Sequence, residues 1–318
     1  HEKIKRPRLL LAIIAIFLVG ATVSAASYPV KPIKLLVPYA PGGTSDTLAR
    51  IMEKHLGDYL PKPIVVVNME GAGGVAGCSE VKRARPDGYT LLLHHTAMHI
   101  AYHMDLADFG YADFDPVALV AVAPQAILAK SDAPFNNLVE LQAYAKERPN
   151  GVLYAMGAGG TSQFTGIALN DVLDIELKLV DVGGGANRMA SVLGGHTQVM
   201  YEAVGATMPH VQANNLKYLA VLSEEREPVI ADVPTAKEQG FDLVAPLPLG
   251  VYGPKGLPAE VIEVLEEALE KLCADPEFQA DLAKITYNAE FLPREKFIEH
   301  LSQENDYIAK YAAQIKGN

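Results

Sequence analysis

The chain has 318 residues and a formal net charge of −11 at pH 7, from 38 acidic and 27 basic residues. Proteins that bind nucleic acid neutralise phosphates with clustered lysine and arginine, so this acidic balance argues against a nucleic-acid partner. Two cysteines, Cys78 and Cys273, are too few for a disulfide framework, and the sequence does not show whether they meet.

Residues 1–26 have the pattern of a secretory signal peptide. Basic residues precede an apolar run from Leu9 to Val19, and the small residues Ser24, Ala25 and Ala26 follow it. A helix that spans a bilayer needs about 20 apolar residues, and this run is shorter. We therefore expect cleavage near Ala25 or Ala26 and export of the rest of the chain, with an uncleaved membrane anchor as the alternative.

The next part of the chain alternates strand and helix patterns. Residues 33–37, 64–67 and 89–93 are strand-like, and helical patterns separate them. This order predicts a βαβαβ unit, which forms a parallel sheet with its loops gathered at the carboxyl ends of the strands.

A second run of the same kind starts near Gln125. It predicts further strands at residues 152–156, 177–182, 197–202 and 216–222. The chain then ends in predicted helices at residues 258–274, after Pro276, and at residues 294–314. No linker rich in serine and glycine separates the two runs, so two lobes would be joined by ordinary strands.

Four glycine-rich turns come directly before predicted helices. They are residues 42–43 and 71–74 in the first run, and 157–160 and 183–185 in the second. Backbone N–H groups at a helix N-terminus bind anions. If the two runs form facing lobes, these helix ends converge on one cleft that could close around an anion.

The glycine turns do not predict a nucleotide cofactor. The turn at residues 42–43 lacks the Lys-Ser/Thr of a phosphate-binding loop. The segment GAGGVA, residues 71–76, fits the dinucleotide pattern, but no acidic residue ends the next strand, where Leu93 is followed by His94 and His95. We expect no cofactor.

A histidine cluster raises the alternative of metal capture. His95, His99 and His103 are spaced four residues apart, so a helix would place them on one face. The outer two would then lie about 12 Å apart, too far for one ion to bind all three. We expect no metal site, and we consider His94 and His95, at the end of a strand, as candidate ligand contacts.

No motif for nucleophilic catalysis is present, and Ser45 and Ser162 have the positions of helix caps. An exported enzyme that uses His95 or Asp46 as a base is the alternative to a binding protein. Arg188 follows the turn at residues 183–185, where a cation is unfavourable at a helix N-terminus, so an anion is expected nearby.

Four segments together resemble the Bug family of periplasmic binding proteins, the receptors associated with tripartite tricarboxylate transporters. In chain order they are YPVKPIKLLVPYAPGGTSDTLAR, VVVNMEGAGGVAG, RPDGYTLLL and GPKGLPAEVIEVLEEAL. The resemblance implies an α/β Venus-flytrap fold with two lobes, each a mainly parallel sheet flanked by helices. We expect lobe 1 to comprise residues 27–123 and 247–318, and lobe 2 residues 124–246.

The resemblance also implies a function without chemistry. A periplasmic monomer would capture a small carboxylate in the cleft between the lobes and deliver it to the permease subunits of a tripartite tricarboxylate transporter. Backbone and hydroxyl groups of the glycine loops, helped by ordered waters, would hold the carboxylate. The matching positions are Pro41, Gly42, Gly43, Thr44 and Asp46 in lobe 1, and Gly157, Ala158, Gly159, Gly160, Thr161 and Ser162 in lobe 2. To these we add His94, His95, Thr96, Gly184, Arg188 and Glu202, from their places at strand and helix ends.

Three departures from the family pattern concern the ligand. Phe164 stands near a common family histidine, residues 182–184 replace an aromatic-Lys/Arg-Gly turn, and Arg188 replaces a neutral residue. These changes predict a dicarboxylate with an apolar body, which includes aromatic acids of the phthalate type. The glycine loops would hold one carboxylate, with Arg188 or His95 near the other.

Overall fold

The structure, a computed structural model, describes residues 28–316. The segment predicted to be a signal peptide lies outside the described residues. Within them, the strands form two sheets. These strands are β1 Ile33–Val37, β2 Ile64–Asn68, β3 Thr90–His94, β4 Phe114–Ala123, β5 Gln125–Lys130, β6 Leu153–Met156, β7 Lys178–Asp181, β8 Val199–Ala203, β9 Leu216–Val221, β10 Leu247–Pro254 and β11 Asn288–Leu292.

The first sheet has the strand order β11-β4-β10-β3-β1-β2. Strand β1 pairs in parallel with β2 and β3, as the βαβαβ pattern predicts. Strand β10 pairs antiparallel with β3 and β4, and β11 pairs antiparallel with β4. The sheet is therefore mixed rather than mainly parallel, because the chain enters β10 after leaving the second sheet and runs against its neighbours.

The second sheet has the order β7-β6-β8-β5-β9. Strand β6 pairs in parallel with β7 and β8, whereas β5 pairs antiparallel with β8 and β9. This sheet is also mixed. The parallel strands β6 and β7 are followed by two of the glycine-rich turns, so both turns lie at the same edge of the sheet.

Helices flank both sheets, which gives the two-lobed α/β fold that was expected. The helices are α1 Thr44–His55, α2 Val75–Arg83, α3 Ala97–His103, α4 Leu138–Lys146, α5 Thr161–Leu173, α6 Gly185–Leu193, α7 Val204–Gln212, α8 Ala259–Ala274, α9 Pro276–Lys284 and α10 Arg294–Lys316. The helices pack apolar side chains against the sheets. In α1, for example, Leu48 and Met52 are fully buried, and burying a side chain of this size contributes about 1.5–3 kcal/mol.

The chain crosses between the sheets at Pro124, between β4 and β5, and returns before β10. Helix α10 contacts both halves of the molecule. Its residues Phe297 and Leu301 pack in a cluster with the first sheet, whereas Ile308 and Tyr311 pack in the core of the second. The last helix therefore spans the two lobes along one side.

Both cysteines are buried free thiols, and they lie in different core clusters. Cys273 lies in the apolar interior of the first lobe. Burial raises the pKa of the Cys273 thiol to about 12, so it stays protonated. No helix in residues 28–316 combines the length and the apolar character needed to cross a bilayer.

Candidate ligand-binding cleft

The turn after β1 is held in shape by Asp46. Gly42 has a φ of 84°, which favours glycine, and its N–H donates to Oδ2 of Asp46 at 2.8 Å. Oδ1 of Asp46 accepts from Asn68 at 2.9 Å. Burial alone would raise the pKa of Asp46, but these hydrogen bonds and nearby Arg50 lower it. The carboxylate is therefore ionised and engaged in shaping the turn.

Helix α1 begins at this turn without a side-chain cap. Its N-cap residue is Gly43, which offers no side-chain acceptor. The first N–H groups of a helix have no intrahelical acceptor, so those of Thr44, Ser45 and Asp46 remain available to an anion. The hydroxyl of Ser45 is buried and finds no hydrogen-bond partner within residues 28–316.

Two histidines at the end of β3 form a wall beside this turn. The ring of Tyr39 stacks on His95, with centroids 5.1 Å apart and planes 8° apart, and meets His94 edge-on. Nδ1 of His94 accepts from the N–H of His95 at 2.8 Å, and Nδ1 of His95 accepts from Ala97 at 3.2 Å. Each ring then carries its proton on Nε2 when neutral, so it can donate there.

Burial keeps both histidines neutral at pH 7. It lowers the pKa of His94 well below its usual value and that of His95 to about 4. The neutral His95 is a weak general base near pH 7, which weakens the alternative of an exported enzyme.

The depressed pKa of His95 predicts a loss of stability in acid. The unfolded histidine takes up its proton near pH 6.5 and the folded one only near pH 4, so the unfolded state binds more protons between these values. Stability should therefore fall as pH falls through this window. Melting temperatures measured from pH 7 to pH 4 should fall less steeply for His95→Gln than for wild type. Parallel curves would contradict the prediction.

The other histidines of the cluster contact α10. Nε2 of His99 lies 3.2 Å from Oε2 of Glu304, and Nε2 of His103 lies 2.8 Å from Oδ1 of Asn305. In the described part of the chain, no three His, Cys, Asp or Glu side chains come together in a way that could hold a metal ion. The metal-capture alternative therefore has no support from the positions of these side chains.

The turn before α5 is bound to its own neighbours. The N–H of Gly157 donates to Oγ of Ser162 at 2.9 Å, that of Ala158 to Asp181 at 3.2 Å, and that of Gly159 to Gln163 at 2.7 Å. These loop donors are engaged within the protein. The donors that remain for a ligand are those of the first turn of α5, which begins at Thr161.

Helices α5 and α6 share the feature seen in α1. Their N-cap residues are Gly160 and Gly184, and neither helix has a side-chain cap. By contrast, α4 and α9 are capped by the side chains of Asn137 and Asp275. In both lobes, therefore, the backbone N–H groups in the first turn of these helices are available to bind an anion.

The anion expected beside Arg188 is Glu202. Nη2 of Arg188 donates to Oε2 of Glu202 at 2.6 Å, and each side chain is 12% exposed. Nη1 of Arg188 also donates to the carbonyl oxygen of Gly183 at 3.3 Å. The cation is therefore neutralised by a residue of β8, and it also fixes the turn that opens α6.

The loops before α1 and α3, in the first lobe, lie close to those before α5 and α6, in the second. Thr96 and Thr161, one from each group, line the same cavity of about 430 Å³. Tyr287 also lies between these loops, because it interacts with Thr44 of the first lobe and with the charge of Glu202 of the second. Burial, the largest effect, raises the pKa of Tyr287 to about 12; the hydrogen bond with Thr44 opposes this rise and the charge of Glu202 adds to it. Neither Tyr39 nor Tyr287 was predicted as a site residue: Tyr39 lies within the first segment that resembles the family, and Tyr287 lies in none of the four.

Comparisons with known proteins agree with this geometry. Residues 48–312 match the model of the tripartite tricarboxylate transporter family receptor. Protein BugT of Bordetella pertussis is 33% identical over 280 residues, which cover 82% of this chain and 83% of BugT. The solved structure of the periplasmic binding protein BugD is 30% identical, with a TM-score of 0.79, and the match covers 91% of this chain and 98% of BugD. MatC from Rhodopseudomonas palustris, solved with bound malate, is 25% identical with a TM-score of 0.80, over 90% of this chain and 100% of MatC.

The two mixed sheets, the crossing strands and the matched structures define a periplasmic-binding-protein fold. The chain belongs to the tripartite tricarboxylate transporter receptor family, the Bug family that its sequence segments resemble. The set of contact residues within the cleft stays a prediction.

Proposed function

We propose that this protein captures a small carboxylate between its lobes and delivers it to the permease of a tripartite tricarboxylate transporter. The observation that carries the proposal is the arrangement of α1, α5 and α6. All three start at glycine N-caps after parallel strands, and none has a side-chain cap. Such helix ends bind anions with fixed backbone donors, so little reorganisation is needed on binding.

The favoured ligand is a dicarboxylate, with one carboxylate bound by each lobe. The bound malate of MatC, itself a dicarboxylate, supports this assignment. Since Glu202 already neutralises Arg188, the N-terminal donors of α5 and α6 would hold the second carboxylate. Acids with an apolar body, including aromatic acids of the phthalate type, are the finer assignment, suggested by Phe164 in place of a histidine.

Location and assembly follow from the same proposal. We propose that residues 1–26 direct export to the periplasm, that the lobes comprise residues 27–123 with 247–318 and residues 124–246, and that the receptor is a monomer. Binding would pull the lobes together, and the closed form would be presented to the permease. The radius of gyration from X-ray scattering should therefore decrease at saturating ligand.

An enzymatic role is not favoured by the chemistry of the cleft. Both carboxylate oxygens of Asp46 accept hydrogen bonds, and its pKa is lowered, which makes it a poor base. A tight ligand incubated with the protein should therefore be recovered unchanged. Conversion of such a ligand to a product would overturn the assignment.

The experiment that tests the proposal is a thermal-shift screen of ligand-free protein. The panel contains mono-, di- and tricarboxylates, both aliphatic and aromatic, at several concentrations. A ligand at one hundred times its dissociation constant should add about 2.7 kcal/mol to the free energy of unfolding. A panel without any concentration-dependent shift would contradict the proposal, and a shift with zinc or nickel alone would favour metal capture instead.

A further inference from the structure

The cavity between the lobes extends away from the helix N-termini. Its walls are α3, α5, α10 and residues 242–248, which lead back into β10. Its volume is about 430 Å³, and Thr96 and Thr161 belong to its wall beside the glycine turns. A cavity of about 150 Å³ lined by apolar side chains is enough to hold benzene. This space therefore has room for the body of a ligand that is larger than malate.

Most of the cavity wall is apolar and aromatic. Phe164 and Tyr201 line it, together with Tyr307, which is 40% exposed. The ring of Phe164 meets those of Tyr307 and Tyr311 edge-on, with centroids 6.1 and 5.6 Å apart. Phe164 and Tyr201 are nearly buried, so Tyr307 provides most of the aromatic surface that a ring of the ligand could contact.

The charged groups of the wall are mainly negative. Glu304 is 15% exposed and is held by Thr96, whose hydroxyl donates to Oε1 at 2.5 Å, and by His99 at 3.2 Å. Burial alone would raise the pKa of Glu304, but these hydrogen bonds lower it, so the group is ionised at pH 7. Lys237 is paired with Glu224 at 2.6 Å and lies 3.8 Å from Asp242.

We propose that this cavity takes the uncharged aromatic body of the ligand, and that Glu304 rejects acids with a carboxylate at the far end. This inference rests on the proposed function. Both carboxylates of the ligand would stay at the helix N-termini, where donors are available. A third anionic group, or a carboxylate on the opposite side of the ring, would enter a space where the ammonium group of Lys237 is already paired with Glu224. A further donor there is His300, one turn before Glu304 on α10, whose Nε2 has no hydrogen-bond partner within residues 28–316. This donor lies beside the Glu304 carboxylate, so Glu304 decides whether a second carboxylate is accepted.

Phthalate and terephthalate form a matched pair of probes. They are isomers with the same charge at pH 7, and they differ in whether the two carboxylates are adjacent or opposite on the ring. Calorimetric titration of the full-length chain should give a dissociation constant at least about tenfold lower for phthalate, since two carboxylates in a partly buried site repel strongly. Equal affinities would overturn the inference.

Two variants separate the role of Glu304 from that of the cavity. Glu304→Gln should improve terephthalate binding and bring the ratio of the two affinities towards one, whereas Glu299→Gln, on the exposed side of α10, should leave the ratio unchanged. Val244→Phe places a ring into the cavity from a half-buried position and should weaken phthalate binding at least about tenfold while malate binding stays the same. Melting temperatures of the ligand-free variants show whether they fold.

The outcomes distinguish this inference from the proposed function. If malate binds and neither aromatic acid does, or if Val244→Phe leaves phthalate binding unchanged, the cavity does not hold the ligand body and the inference is wrong, while the receptor function stands. If no carboxylate binds at all, both fail.

Discussion

Thr161→Pro is expected to weaken carboxylate binding by at least about tenfold without destabilising the fold. Proline is tolerated at the first helical position, where its missing N–H would have no intrahelical acceptor. Gly160, the residue before it, has φ −105° and ψ 177°, which suits a following proline. The substitution therefore removes one backbone donor from the ligand, and a hydrogen bond to a charged group contributes about 1.5–3 kcal/mol.

The control for this variant is Thr161→Val, which removes the hydroxyl but keeps the N–H. Calorimetric titration with the tightest ligand of the screen should give intermediate binding for this control. Thr44→Pro tests the same donor in the first lobe, since Gly43 has φ −80° and ψ 176°. The melting temperature of Thr161→Pro should stay within a few degrees of wild type, as substitutions of this kind change stability by less than about 1 kcal/mol. Thr44→Pro also removes the hydroxyl that interacts with the buried Tyr287, so it is compared with Thr44→Val, which loses the same hydroxyl but keeps the N–H. Unchanged affinity in both would show that the helix ends do not hold the ligand.

Local patterns predicted most of the elements but not all of their pairings. The strand and helix periods placed β1, β6, α8 and α10 within a few residues of their observed ends. Strand β4 was missed, because nine of its ten residues are buried and Asp115 and Pro116, residue types that are uncommon within strands, interrupt its apolar pattern. Its Asp115, which looks unsuited to a buried strand, accepts from the N–H groups of Gly256 and Leu257.

The candidate site was only partly predictable, for a related reason. Glycine turns before helices are local features, so the sequence could indicate the ends of α1, α5 and α6. It could not show that the N–H groups of Gly157 and Gly159 are engaged by Ser162 and Gln163, which depends on side-chain positions. The position of Tyr287 between the lobes depends on contacts between distant parts of the chain, and no motif records them.

The position of Arg188 is unfavourable in the sequence, and its pairing with Glu202 in the structure accounts for it. The unfavourable cation at the start of α6 predicted a nearby anion, and that anion is Glu202 at 2.6 Å. Both side chains are largely buried, so the pair is sensitive to the loss of one partner. Removing one member of a buried pair leaves an uncompensated charge, which is far more costly than removing both.

Arg188→Met is therefore expected to lower the free energy of unfolding by about 3 kcal/mol and to weaken dicarboxylate binding at least about tenfold. The unpaired Glu202 carboxylate would repel the ligand from the start of α6. The double variant Arg188→Met/Glu202→Gln should recover most of the stability, measured by urea unfolding, and bind dicarboxylates within about threefold of wild type if backbone donors hold the ligand.

The single and double variants together decide what Arg188 does. If the single variant binds every dicarboxylate as well as wild type, neither member of the pair lies near the ligand, and the second carboxylate must be held elsewhere. If the double variant regains stability but not affinity, the guanidinium contacts the ligand directly, as the sequence alone suggested. If the double variant regains both stability and affinity, the role of Arg188 is to neutralise Glu202 beside the N-terminus of α6. The ligand would then be held by the backbone donors of α6, which are unchanged in every variant.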